Sequence, residues 1–314
     1  VKNVLIGTFL RRAGAAEILG PIPGLSINDP LLAAVLDFDT PLLLLHEGTT
    51  HGEGPIWDAA GNRLIWSDVI SRRLMAWHPD GHVHTVLDPT WFINGNALLP
   101  DGGMVHCEHG RRCVSLSRPG KETLPLITHY QGGRLNAPND IVLGPDDTIW
   151  FTDPVFGISS PREGYIADPE LPHRSVYRYH RASATLTRMA DLDQPNGLSF
   201  SPDGQTLYVS DTSRAIGGAT HSIQAFTVTR HGSLSEERPF YSVEHGVPDG
   251  FAIDHRGWVW TTAGDGIHIL DSAGCLLGFV PLPYTPTNCT FGGLDNRRLF
   301  ITCNQHLLAL DLRD

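Results

Sequence analysis

The sequence predicts an all-β chain folded as a six-bladed β-propeller with an N-terminal extension. Three observations support this. One segment pattern recurs six times, every copy opens with an oxygen-bearing side chain, and a tight-turn signal follows each opening. The composition agrees. The 314 residues include 33 Gly and 23 Pro, and 18% are charged, a turn-rich and moderately apolar mix. Residues 1–40 read as an extension packed on the main body, and residues 41–314 as the propeller.

The extension carries one helix signal, Asp29 as N-cap with Pro30 at the first helical position. Leu42-Leu43-Leu44-Leu45 is a β-like run with no partner of its own. A propeller must close its ring, so this run is expected to add a strand to the last blade, near Leu307-Leu308-Ala309-Leu310. The six segments open at Glu53-Gly54-Pro55-Ile56-Trp57, Asn94-Gly95-Asn96-Ala97-Leu98, Asn139-Asp140-Ile141-Val142-Leu143, Asn196-Gly197-Leu198-Ser199-Phe200, Asp249-Gly250-Phe251-Ala252-Ile253 and Asn288-Cys289-Thr290-Phe291-Gly292. Their turns fall at Ala60-Gly61-Asn62, Asp101-Gly102, Asp146-Asp147, Asp203-Gly204, Arg256-Gly257 and Asp295-Asn296. Gly, Asn and Asp tolerate the positive φ that tight hairpins require. A second β-rich run follows each turn, such as Thr148-Ile149-Trp150-Phe151. Successive segments start 41, 45, 57, 53 and 39 residues apart, against roughly 40–50 residues for a four-stranded blade. The two long repeats hold extra loop at 155–173 and 213–220, and 156–173 reads as a lid.

The net charge of −11 at pH 7 argues against nucleic acid as a partner, which needs a basic surface. Five cysteines without a C-x-x-C pair read as reduced, mostly buried thiols and point to a cytoplasmic chain. No apolar run reaches the roughly 18 residues of a membrane span. Arg11-Arg12 follow the apolar first residues, an order opposite to that of a signal peptide, which disfavours secretion.

The first strand of each blade lines a propeller's axis. Glu53, Asn94, Asn139, Asn196, Asp249 and Asn288 are therefore expected at one height around it. Asn and Asp are depleted in strands, so propensity does not account for this ring. Any one of the six could serve only to cap a turn. Six in one register read as donors to a hard divalent cation. All-oxygen donors favour Ca²⁺, with Mg²⁺ or Mn²⁺ next, whereas Zn²⁺ normally recruits His or Cys.

These segments resemble the SMP-30/gluconolactonase-like (regucalcin-like) family of six-bladed propellers over about residues 41–314. The carriers are Glu53-Gly54-Pro55-Ile56-Trp57, Asn136-Ala137-Pro138-Asn139-Asp140-Ile141, Phe151-Thr152-Asp153-Pro154, Gln194-Pro195-Asn196-Gly197 and Pro248-Asp249-Gly250. The resemblance implies one divalent metal held by Glu53, Asn139, Asn196 and Asp249. It implies hydrolysis of a small-molecule lactone, with glucono-1,5-lactone the first expectation. The alternatives are another lactone, an organophosphate ester, or a binding scaffold around a structural axial calcium. Asp249 is implied as the carboxylate that activates water. A metal-bound carboxylate is a weak base, so water acidified by the cation itself competes with that role.

Other candidates come from position alone. Asn139, Asn96, Asn136 and His109 are expected to face substrate. Asn96 is included because it lies two residues after Asn94 and so on the same side of the strand. Asp140 follows a ring residue, so strand alternation turns it away from the axis, behind Asn139. Asp153 is expected to bond to a loop, and Asn94 and Asn288 to touch substrate or water.

Overall fold

Each of the six segments supplies the innermost strand of an antiparallel sheet in the computed structural model, which describes residues 12–13 and 16–313. The inner strands are Gly52–Asp58, Ile93–Leu98, Ile141–Leu143, Pro195–Phe200, Phe251–Ile253 and Pro286–Gly292. Neighbouring inner strands touch around a closed circle, with Pro286–Gly292 beside Gly52–Asp58. The sheets are six propeller blades. The turn after each inner strand holds a residue in the left-handed region: Asn62, Gly102, Asp147, Gly204, Gly257 and Asn296. All six lie where the turn chemistry puts them.

The ring closes through the run at 42–45. Strand Pro41–Glu47 pairs antiparallel with His306–Asp311, with Leu43 opposite Ala309 and Leu44 opposite Leu308. Ala16–Pro21 then pairs with the outer side of Pro41–Glu47, and Ser26–Ile27 extends the fifth blade along Leu276–Pro281. Between them Asp29 caps the short helix Pro30–Ala33 by accepting a hydrogen bond from Leu31 N at 2.7 Å. That turn buries Leu32, Val35 and Leu36 in one cluster with Trp260, Ile267 and Ile269.

The core lies between blades. Trp66, Trp77, Trp150, Trp260 and Phe300 are all but fully buried. Trp57 and Phe300 stack where the first and sixth blades meet. All five cysteines are free thiols; Cys275 is exposed and the other four are buried. No described helix is long and apolar enough to cross a membrane.

Candidate functional site at the propeller axis

Two local devices fix the axial residues. The first is a carboxylate at the end of the second strand of a blade. Asp68 accepts hydrogen bonds from Thr50 N and His51 N at 2.9 and 3.2 Å. Asp153 accepts from Asn136 N and Ala137 N, both at 2.9 Å, and Asp211 from Asp193 N and Gln194 N, both at 2.8 Å. In each case the axial residue, Glu53, Asn139 or Asn196, stands two positions after the second donor. The clamp fixes the approach of the chain, and with it the direction of the side chain. Burial dominates at Asp153, whose pKa is pushed up to about 7 despite the two donated hydrogen bonds.

The second device joins neighbouring blades. Gly95 N donates to Asn139 O at 2.8 Å, Gly197 N to Asp249 O at 3.2 Å and Gly250 N to Thr287 O at 2.8 Å. Such close approach excludes a side chain at the donor. A Cβ at Gly95 would lie 2.7 Å from Asn139 O, and one at Gly197 2.5 Å from Asp249 O.

Five of the six axial residues, Glu53, Asn94, Asn139, Asn196 and Asp249, line one cavity of about 330 Å³. The sixth does not. The amide of Asn288 lies between Glu53 Oε2 and Asp140 Oδ2, donating at 3.4 and 3.2 Å, outside the lining. The expectation for Asp140 is corrected by the same contact. Asp140 faces the axis and bonds to Asn288, not Asn139. Alternation does not apply there, because the chain enters its strand only at Ile141.

The amides are oriented. A carbonyl oxygen can only accept, so the 3.0 Å contact between His109 Nδ1 and Glu163 O puts the proton on Nδ1. Nε2 is then an acceptor, and burial, which lowers the His109 pKa, keeps the ring neutral. The amide nitrogens of Asn94 and Asn139 point at Nε2, with long contacts of 3.4 and 3.5 Å. The amide nitrogen of Asn196 donates to Thr212 Oγ1 at 3.2 Å. With the nitrogens engaged, each Oδ1 is left for the cavity.

The carboxylates are uncompensated. Glu53 is pushed up to about 8, first by burial and then by Asp140. Burial and the neighbouring Glu53 raise Asp249 well above the usual carboxylate range, with His51 opposing. Among the described residues no protein group donates a hydrogen bond to the Asp249 carboxylate. No group of three or more His, Cys, Asp or Glu among them is arranged to hold a metal, so any cation here would depend on amide oxygens.

Two of the residues expected to face substrate are otherwise engaged. The Asn96 amide donates to Gly54 O at 2.8 Å and Ser67 Oγ at 2.9 Å, and its Oδ1 meets His106 Nδ1 at 2.7 Å. The first blade covers the side that alternation assigned to the axis. Asn136 is fully buried and donates to Asp153 O and His173 O, pinning the loop into the third blade. Neither lines the cavity. His109 stands behind Asn94 and Asn139, not in the lining.

The walls hold residues the sequence did not single out. His51, Phe156, Ser159, Ser160, Glu163, Ala215, Ile216 and Val247 complete the lining. Phe156 to Glu163 lie in the lid segment and Ala215-Ile216 in the fourth-blade insertion. The lid is seated by close packing: a Cβ on Gly157 would lie 2.4 Å from His109 Cγ, and one on Gly164 2.0 Å from Gly157 O. The two insertions carried a signal as segments, by their length, and His51 carried one as a residue, being two positions before Glu53 and so on its side of the chain.

Fold and site together define a six-bladed propeller with an oxygen-lined axial cavity beneath a lid. The chain belongs to the SMP-30/gluconolactonase/LRE-like family, whose profile matches residues 51–305. It is 30% identical over 305 residues to a gluconolactonase of Zymomonas mobilis, covering 90% of this chain and 84% of that one. A solved gluconolactonase structure from Xanthomonas campestris superposes with a TM-score of 0.89 at 47% identity, over 96% of this chain and 98% of the other. Rabbit (Oryctolagus cuniculus) regucalcin is 26% identical over 267 residues, 83% of this chain and 85% of that one.

Proposed function

We propose that this protein is a divalent-metal-dependent hydrolase of small lactones, with glucono-1,5-lactone the leading substrate. The observation that carries the metal is the pair Glu53 and Asp249. Both are raised carboxylates on the axis, and cavity-facing amide oxygens stand around them. Among the described residues the lining has no lysine or arginine, and the axial side chains are all hard oxygen donors, which suits Ca²⁺ before Mg²⁺ or Mn²⁺ and Zn²⁺ least. Glu53, Asn139, Asn196 and Asp249 would hold it. When bound, a divalent cation polarises an ester carbonyl and acidifies water. The two relatives named gluconolactonase support the reaction class. An open cavity of about 330 Å³ favours turnover over a plugged structural site.

The chain's own residues divide the work. Among the described residues no group donates to the Asp249 carboxylate, so an oxygen is free to take a proton from the attacking water. Asn94 shares the cavity without being one of the four ligands, and its Oδ1 can accept from a substrate hydroxyl. Ser159 and Ser160 offer hydroxyls from the lid, and the seated lid limits access of bulk water.

The test is a pH-indicator assay of acid release from glucono-1,5-lactone and several other lactones, with and without chelator. Hydrolysis that stops with chelator and returns with added Ca²⁺ is expected. Full turnover in chelator, with metal analysis showing none bound, would overturn metal dependence. Turnover of no lactone by metal-loaded protein would overturn the hydrolase reading.

A further inference from the structure

We infer that the lid carboxyl of Glu163 makes the cavity selective by charge, admitting neutral lactones, rejecting lactones that already carry an anion, and hastening release of the acid product. The inference rests on the lactone-hydrolase reading above and names the substrate class within it.

The cavity lining holds three acidic side chains, Glu53, Asp249 and Glu163, and no lysine or arginine among the described residues. His51 lines the cavity and its Nδ1 bonds to Asn304 Oδ1 at 2.7 Å; the arginines next in sequence to lining residues lie outside the lining. Arg214 donates to Glu244 O and Gly246 O, and Arg162 is exposed outside the lining. A divalent cation would offset Glu53 and Asp249 and leave Glu163 uncompensated. The backbone at Glu163 is fixed, which sets where the side chain starts: its main-chain carbonyl accepts from His109 Nδ1 at 3.0 Å, and Gly157 and Gly164 sit in close packing within the same lid. Its charge acts on the axis because Glu163 lines the same cavity as Glu53 and Asp249.

The consequence follows from Coulomb's law in a partly desolvated cavity. A neutral ring enters without penalty. A ring bearing a phosphate or a second carboxylate meets a like charge. Hydrolysis breaks the acyl C–O bond of the lactone and adds the elements of water, leaving a hydroxyl and a carboxylic acid that ionises. The product is therefore repelled by the group that admitted the substrate.

The experiment compares kcat/KM for glucono-1,5-lactone and for its 6-phosphate in wild type, Glu163→Gln and Glu163→Lys. The neutral-to-phosphorylated ratio should fall at least tenfold in Glu163→Gln and further in Glu163→Lys. A within-variant ratio is insensitive to partial loss of folded or metal-loaded protein. Raising ionic strength should narrow the wild-type ratio, a measurement that needs no variant. Calorimetry provides a readout free of turnover: gluconate and 6-phosphogluconate should bind Ca²⁺-loaded Glu163→Gln about tenfold more tightly than wild type. If wild type hydrolyses both lactones equally, or the ratio and both affinities ignore residue 163, the inference falls while the hydrolase reading stands. If neither lactone is hydrolysed, the hydrolase reading falls and the calorimetric comparison alone decides whether Glu163 excludes anions.

Discussion

Among the described residues no group donates a hydrogen bond to the Asp249 carboxylate, whereas the Asn288 amide donates to Glu53. That asymmetry separates their roles. Asp249→Asn keeps an oxygen for a cation but loses the proton acceptor, so kcat at saturating Ca²⁺ should fall on the order of 10²–10⁴. Recovery to near wild-type kcat would leave Asp249 as a ligand only. His109 acts through others. His109→Phe removes the acceptor that holds the Asn94 and Asn139 amides, so Ca²⁺ affinity should drop about tenfold, with partial rescue in His109→Gln. Unchanged Ca²⁺ affinity by calorimetry would show that the amides orient without it. The axial residues were legible because each repeats at the head of an apolar run. Asn96 and Asn136 were misassigned because their partners, Gly54, Ser67 and His173, are neighbours only across strands. Glu163 was not legible: one acid in a polar loop looks like any other until the loop folds over the axis.

At the scale of elements, the turns were readable because positive φ restricts residue type, and Asn62, Gly102, Asp147, Gly204, Gly257 and Asn296 satisfy that restriction locally. The glycines after the axial residues obey a different constraint, the approach of the next blade, which no local signal reports. Gly197→Ala would force a Cβ to 2.5 Å from Asp249 O. It should cost about 1–3 kcal/mol in overpacking and also weaken Ca²⁺ binding, because Asp249 must shift. Gly102→Ala meets nothing within 4 Å and strains only its turn, so it should leave Ca²⁺ affinity alone. Thermal melts and calcium titrations of the two variants check the contrast; equal loss of affinity in both would mean that inter-blade spacing does not set the ligand geometry. The Asp68, Asp153 and Asp211 clamps are likewise invisible to spacing alone, although the bond of Asp153 to a loop was anticipated.

For the whole molecule, the six-fold repeat and the pairing of 42–45 with the last blade were legible because a propeller with an unpaired run has one place to put it. Deleting residues 1–46 removes the partner of His306–Asp311 and the buried Leu32, Val35 and Leu36. It should give aggregated protein by light scattering; a soluble, active 47–314 fragment would show another mode of closure. The axial charges also set a stability profile. Glu53, raised from 4.5 to about 8, and the raised Asp249 hold protons in the folded chain that the unfolded chain releases. In chelator, the Glu53 contribution to stability is full below about pH 4.5 and lost as pH rises through about 8, and the raised Asp249 acts in the same direction. Bound Ca²⁺ removes the penalty on the charged forms, so the Ca²⁺-dependent rise in Tm should be larger at pH 8 than at pH 5. A rise independent of pH would place Ca²⁺ away from these carboxylates. The closure strand carries one more consequence, for the order of events on the ribosome. Residues 41–47 emerge early and must wait, edge exposed, for 306–311 to be translated. Until then no complete sixth blade holds the other five in a circle, and Glu53, Asn139, Asn196 and Asp249, made far apart in time, have no common centre. The nascent chain is thus without its site until 306–311 have been made.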